Sequence, residues 1–335
     1  MDGLIDQAKK QLWNMVSTMG KAKCSNDVVP QIEIALYEYG RTTNDVKKGY
    51  VKQINSFMSD LDSLSQNLFS LKTNGGDEYC GQVIYTSINE LKWDANPSYY
   101  KVIFIAGNED FLQGNLKYTT ACAAAKEKGV IVNTIYCGDK MQGIREHWNL
   151  GGECGDGSYT NINQNAREIE IPTPYDSVIY TLNNQLNSTY ITYGAMGFSK
   201  KAKQSQMDLA NVTISKTAGI KRMTVKGKKE LYKNTEWDLV DAATDDAKAI
   251  DKLDLKTLPD SLQNKTRDEI KIIINKNAFE RGNIQTQMAK ASIDRDKFIA
   301  AEKVKQASGN TVATLETEVE KIIKIQAARF KMIMQ

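Results

Sequence analysis

A run of two glycines and two acids, Gly75-Gly76-Asp77-Glu78, is the short stretch of this sequence best suited to chemistry. The carboxylates of Asp77 and Glu78 are hard oxygen ligands of the kind that hold a magnesium ion beside a triphosphate. Paired glycines let a backbone approach such a ligand closely because they carry no Cβ atom. The four residues therefore raise two alternatives, a catalytic turn for nucleotides or a loop of a non-enzymatic fold.

The same four residues resemble the Gly-Gly-Asp-Glu turn of the diguanylate cyclases, which lies on a β-hairpin. That resemblance implies a strand on each side of the turn. In this sequence leucines at helical spacing precede the glycines over residues 61–71, and an apolar helical stripe follows them over residues 83–91. Helices on both sides of the motif disfavour a cyclase. A metal-dependent enzyme, cyclase-like or a hydrolase using Asp77 and Glu109, is kept as an alternative function.

The composition of the chain is that of a globular protein that spans no membrane. It has 335 residues, 41% hydrophobic and 25% charged, and no apolar run reaches the roughly 20 residues of a membrane helix. Residues 194–335 contain 27 Lys and Arg against 19 Asp and Glu, a net charge of +8, whereas residues 1–193 carry −5. This asymmetry predicts two units. The basic unit could face acidic partners or the acidic unit of the same chain. The alternative is that it presents a solvated, lysine-rich helical surface.

Strands alternate with helices along residues 1–193, and this order predicts an α/β fold with a doubly wound, mostly parallel sheet. Beyond about residue 195 the pattern becomes mainly helical. Two helical patterns, 265–307 and 312–334, are separated by a short turn and predict a long antiparallel helical hairpin. The predicted strands are residues 32–39, 50–57, 101–106 and 130–136, and the predicted helices are 3–19, 61–71, 83–91, 118–127 and 176–186.

The loops at the carboxyl ends of the predicted parallel strands are the expected binding region, because ligands of doubly wound sheets bind there. One loop contains the paired glycines, one follows Ala106, and one follows Tyr136. The residues predicted to form the rim of a ligand or partner site are Thr73, Gly75, Gly76, Glu78, Asn108 and Asp139.

Residues 1–193 resemble a von Willebrand factor type A (VWA) domain in the order of their elements as well as in their motifs. The family's second metal-loop region is similar to "SDLDSLSQNLFSLKTNGGDEYCGQVIYTSINEL". Its fourth strand and third metal loop are similar to "YKVIFIAGNED", and its late strand, helix and final strand to "VIVNTIYCGD…WNLGGECGDGSYTNIN". The resemblance implies a Rossmann-like fold and a protein-interaction or adhesion-type module, followed here by a basic helical extension over residues 194–335.

The VWA resemblance also implies a metal-ion-dependent adhesion site for Mg²⁺ or Mn²⁺, and this sequence departs from it. Asp77 stands at the ligand position after the Gly-Gly turn. Gly107 replaces the acid that ends the family's fourth strand, and Glu109 lies just beyond it. The first strand and its Asp-x-Ser-x-Ser loop have no counterpart, which we interpret as an N-terminally shortened form. The expected site is therefore incomplete, with no certain cofactor. Asp77 is alternatively the cap of a helix beginning near Glu78.

Five cysteines are scattered without the paired spacing of a zinc site. Cys137 and Cys154 flank one loop, so they either form a disulfide or are buried thiols that act as small apolar residues. His147, the only histidine, has no nucleophile or acid partner in the sequence and is interpreted as structural.

The function predicted from these observations is non-enzymatic binding of another protein, with no nucleic acid as partner. A structural scaffold assembled through the C-terminal helical hairpin is the alternative. Family resemblance favours a periplasmic or secreted location, although no signal peptide is recognisable in this sequence.

Overall fold

The computed structural model of this protein describes residues 2–24, 27–72, 75–162, 170–306 and 314–334. Over these residues the protein is α/β, with a parallel three-stranded sheet and a mostly helical C-terminal region. It divides into two compact units. The first unit comprises Met1–Ile169 and Val312–Gln335, and the second unit comprises Glu170–Thr311.

The described strands all lie in the first unit, whereas each of the two units contains helices. The described strands are β1 (Ala22–Lys23), β2 (Ile34–Glu38), β3 (Lys52–Met58), β4 (Lys101–Gly107), β5 (Val130–Tyr136), β6 (Asp156–Asn161) and β7 (Ile333–Met334). The described helices are α1 (Asp2–Met19), α2 (Leu61–Ser70), α3 (Cys80–Glu90), α4 (Tyr118–Glu127), α5 (Lys140–Arg145), α6 (Trp148–Cys154), α7 (Pro174–Ser188), α8 (Gly197–Ile214), α9 (Lys216–Lys226), α10 (Leu239–Asp245), α11 (Asp260–Gln263), α12 (Arg267–Gln306) and α13 (Leu315–Arg329).

The apolar runs of β4 and β5 pair in parallel, with Lys101 opposite Val130 and Gly107 opposite Tyr136. β6 pairs with the other edge of β5, also in parallel. β2 and β3 depart from the predicted single sheet, because they pair antiparallel with each other as a separate two-stranded sheet. The residues between them contain no helix long enough for a crossover, and a parallel pair would need one.

The three-stranded sheet is covered on both faces. Alternate residues of β4 and β5 contribute to different cores, as a strand period of two requires. Ile105 and Val132 pack with α3 and α4 on one face. Phe104 and Ile135 pack on the other face with α13 and with methionines of α1.

Helix α13 is fixed to the sheet by buried polar side chains. Gln326 exchanges hydrogen bonds with Asn133 on β5, at 2.7 and 3.1 Å, and its Oε1 also accepts one from the Tyr100 hydroxyl at 2.9 Å. The terminal strand β7 pairs with β1. The division of the structure therefore differs from the predicted boundary at residue 193, because the chain end returns to the first unit and residues 170–193 belong to the second.

The second unit is helical. Helix α12 packs on α7 and α10, and α8 packs on α9. The predicted hairpin of two long helices is not confirmed, since α13 packs on α1 within the first unit. None of the described helices combines the length and apolar character needed to cross a membrane.

The disulfide predicted between Cys137 and Cys154 is wrong. Cys154, at the end of α6, is bonded to Cys122 on α4, with their Cα atoms 5.8 Å apart. Cys137 is a buried free thiol. It lies in the core beneath α13, on the opposite sheet face from α4 and α6.

Candidate functional site at the carboxyl edge

Three loops of the first unit meet where β4 and β5 end, and we call residues 75–79, 107–113 and 137–139 the carboxyl edge. The Cys137 N–H donates to the Gly107 carbonyl at 2.7 Å and so joins the second loop to the third. Glu78 joins the first loop to the second. Of the predicted rim residues, Thr73 lies outside the described residues.

Glu78, and not Asp77, is the acid that the fold positions at the end of β4. Its Oε2 accepts hydrogen bonds from the backbone N–H groups of Asn108, at 2.8 Å, and Glu109, at 3.2 Å. The Glu78 N–H in turn donates to Gln113 Oε1 at 3.0 Å and to Glu109 Oε2 at 3.3 Å. These reciprocal bonds lock the glycine loop onto the loop that follows β4.

Gly107 makes room for this carboxylate. A Cβ atom on Gly107 would lie 2.2 Å from Glu78 Oε2, 2.6 Å from the Tyr39 hydroxyl and 2.9 Å from the Trp148 ring. Any side chain at position 107 would therefore collide with Glu78. A carboxylate from another loop therefore occupies the space at the end of β4.

Of the two adjacent glycines, only Gly76 is required by packing. A Cβ atom on Gly76 would lie 2.9 Å from the Gly40 carbonyl oxygen, whereas nothing lies within 4 Å of one on Gly75. Gly76 therefore permits a close backbone approach between the glycine loop and the loop after β2.

Burial controls the ionisation of the groups around Glu78. Burial raises the pKa of Glu78, the N–H groups of Asn108 and Glu109 lower it, and the Glu109 charge raises it further, with a net upward shift. Burial raises the pKa of the Cys137 thiol to about 12. It also raises that of Cys80 well above its usual value. Both thiols are protonated at neutral pH and are poor nucleophiles.

We predict that Glu78→Gln gains stability relative to the wild type as pH rises. A carboxyl group whose pKa is raised by folding weakens the folded state as pH climbs from the unfolded pKa through the folded pKa. Glutamine keeps an oxygen acceptor and does not ionise. Urea midpoints of both proteins at acidic and neutral pH measure the difference. If Glu78→Gln instead gained stability relative to the wild type as pH fell, folding would lower the pKa of Glu78 rather than raise it.

Asp77 and Asp139, at the rim of the edge, each also make a local contact. Asp77 is exposed and accepts a hydrogen bond from the Tyr79 hydroxyl at 3.1 Å. Helix α3 begins at Cys80 without a side-chain cap, so the capping prediction for Asp77 is wrong. Asp139 is exposed and caps α5 by accepting from the N–H groups of Met141 and Gln142.

The donor set does not fit the divalent cation that the VWA resemblance implies. Among the residues that the structure describes, no three His, Cys, Asp or Glu side chains form a group that could hold a metal ion. The Glu78 Oε2 atom is already engaged by two N–H groups, whereas a hard cation needs about six oxygens converging on it.

Several contacts that support the edge were not predictable from the sequence, although Asn108 itself was predicted as a rim residue. The Trp148 indole N–H donates to the Glu109 carbonyl at 2.8 Å, and His147 Nδ1 lies 3.1 Å from Asp110 Oδ1. The Asn108 side-chain oxygen is buried and has no hydrogen-bond partner among the described residues. These contacts join residues far apart in sequence, so neither periodicity nor motif spacing predicts them.

Comparisons of the chain with protein-family models, with curated protein sequences and with solved structures find no match.

Proposed function

We propose that the first unit is a VWA-like domain that binds another protein through its carboxyl edge and carries out no chemistry itself. In this proposal the edge works without a resident metal ion. Glu78 takes the space over Gly107, and its main role is to hold two loops together. The other acids of the carboxyl edge are then available to contact a partner.

The charge of the carboxyl edge is the observation that supports this proposal most. Its three loops contain five acids and neither lysine nor arginine. The exposed members include Asp77 and Asp139. Such a surface is complementary to a basic segment of a partner protein.

Beneath this surface, the buried Asn108 side-chain oxygen is a specific acceptor without a donor among the described residues. A buried acceptor left without a donor destabilises a protein by about 1–3 kcal/mol. A lysine or arginine of the partner would supply that donor. We therefore expect the partner to insert a cationic side chain between the loops of Asp77 and Asn108.

The test is fluorescence anisotropy of a labelled lysine-rich peptide of twelve residues against the full chain. We expect binding that weakens as NaCl rises from about 50 to about 300 mM, because salt screens exposed charges. The double substitution Asp77→Asn with Asn108→Ala should lower the affinity about tenfold, or about 1.4 kcal/mol. Glu127→Gln, an exposed acid on α4 away from the edge, is the matched control and should change nothing.

Two outcomes would count against the proposal. Equal affinities of the double variant and the Glu127→Gln control would place binding elsewhere. Binding that required Mg²⁺ and disappeared with EDTA would replace direct charge recognition by a bridging cation.

A further inference from the structure

Strand β4 has the sequence of an interior strand but lies at an edge of its sheet. Residues 102–106 are continuously apolar, which is typical of parallel strands that have a neighbour on each edge and are covered on both faces. The opposite edge strand, β6, reads DGSYTN and is polar, as edges usually are. All seven residues of β5, between them, are buried, whereas Val102, Ile103, Phe104 and Ala106 on β4 are only half-buried.

The open edge of β4 can be identified atom by atom. The Gly107 carbonyl points to β5, where it accepts from the Cys137 N–H. Backbone groups alternate in direction along a strand, so those of Val102, Phe104 and Ala106 point away from β5. In the described part of the chain, β4 has no second strand neighbour. At this edge the Ala106 carbonyl accepts from the Tyr39 hydroxyl at 2.7 Å.

Strand β2 approaches this edge at its carboxyl end, where the Tyr39 hydroxyl donates to the Ala106 carbonyl. It pairs only with β3 among the described strands, and residues 34–37 are apolar and half-buried. Tyr39 follows β2 directly, so the carboxyl ends of β2 and β4 lie together. The reach of a tyrosine side chain plus one hydrogen bond is close to two interstrand spacings, about 9.6 Å. This reach sets an upper limit on the separation of β2 and β4 at this end, and within that limit at most one strand fits between them.

We propose that the open edge of β4 accepts an extended apolar segment from another polypeptide chain, which enters between β4 and β2 and joins them into one sheet. A second extended backbone can pair with the N–H and C=O groups of Val102 and Phe104 in register, which a lipid or an apolar small molecule cannot do.

The side chains around the opening define the segment. One face of the inserted segment would pack on the core that contains Ile103 and Ile105. Its other face would pack on the core that contains Phe104 and Met15. It is therefore apolar on both faces and β-branched, and about five to seven residues long, to match β2 and β4. The β4 strand of a second copy of this chain is not the occupant, because β5 holds it in a sheet and it cannot enter between two strands.

Amide hydrogen exchange resolved by NMR on the full chain tests the inference. The probe is a synthetic peptide of seven alternating Val and Ile residues with uncharged serine and glutamine flanks, so that the acidic carboxyl edge does not attract it. In the free protein, the Val102 and Phe104 amides should exchange at least about 100-fold faster than those of Ile103 and Ile105, which face β5. The peptide should slow the first pair about tenfold or more and leave the second pair unchanged.

Two controls separate strand pairing from nonspecific adhesion. A peptide of the same composition with proline at every second position lacks the N–H groups for pairing and should have no effect. Val102→Pro removes an N–H that faces the open edge while leaving the pairing with β5, so it should abolish peptide protection at Phe104. Val102→Ala keeps that N–H and should retain the protection.

Three results would overturn the inference. Val102 and Phe104 amides that exchange as slowly as those of Ile103 and Ile105 in the free protein would mean that this chain covers its own edge. Exchange that the Val-Ile peptide leaves unchanged would mean that no strand is accepted. Protection without peptide that grows with protein concentration would make a second copy the occupant. None of these results bears on the basic-peptide binding proposed above.

Discussion

Replacing Asp208 with alanine should lower the free energy of unfolding of the second unit by about 4 kcal/mol. Asp208 on α8 accepts hydrogen bonds from Arg222 at 2.7 Å and from Lys226 at 2.6 Å, and both cationic side chains are fully buried. Asn183 and Asn187 on α7 donate to the same carboxylate. Without it, two buried positive charges lose this carboxylate partner, and α7, α8 and α9 lose a group that links them.

The effect should depend on pH in a defined direction. Burial alone would raise the pKa of Asp208, but the charges of Lys226 and Arg222 outweigh it and hold the pKa well below its usual range. A depressed pKa contributes stability above the unfolded value of about 4. That contribution is lost as pH falls through the folded value. The difference between wild type and Asp208→Ala should therefore shrink below about pH 4.

Urea unfolding followed by hydrogen exchange of α8 and α9 measures this loss in the full chain. Asp245→Ala is the matched control, because its pair with Lys233 is 3.5 Å long and exposed on both sides. Removing it should change stability by less than about 1 kcal/mol. Similar losses in the two variants would show that burial does not set the strength of the Asp208 network.

Replacing Gly107 with alanine should destabilise the first unit by about 3 kcal/mol. The new methyl group would lie 2.2 Å from Glu78 Oε2 and 2.6 Å from the Tyr39 hydroxyl. Relieving those contacts requires Glu78 to leave the N–H groups of Asn108 and Glu109. The substitution should therefore also loosen the carboxyl edge, seen as faster exchange of those two amides.

Gly75→Ala is the control for this substitution, since nothing lies within 4 Å of the added methyl group. It should change the urea midpoint little. Combining Gly107→Ala with Glu78→Ala should cost less than the sum of the single changes, because removing the carboxylate makes room for the methyl group. Strict additivity would mean that Glu78 does not occupy the space over Gly107.

The local elements of this protein were readable from its sequence. Apolar runs predicted β4 and β5 to within a residue, and helical periodicity predicted α4 and α12 closely. Such patterns record which side of a segment is buried, and burial repeats with the period of the element itself. The same reasoning found the loops after β4 and β5, because parallel strands end together, whereas the glycine loop lies between α2 and α3 and reaches this edge through packing.

The pairings between distant residues were decided only by the tertiary structure. Cys154 pairs with Cys122 rather than with Cys137, because the sheet lies between Cys154 and Cys137. Gln326 reaches Asn133 across most of the sequence. β2 joins β3, and Glu78 rather than Asp77 occupies the end of β4. Periodicity determined which residues are buried, but partners depend on how the elements pack, and no local pattern records that packing.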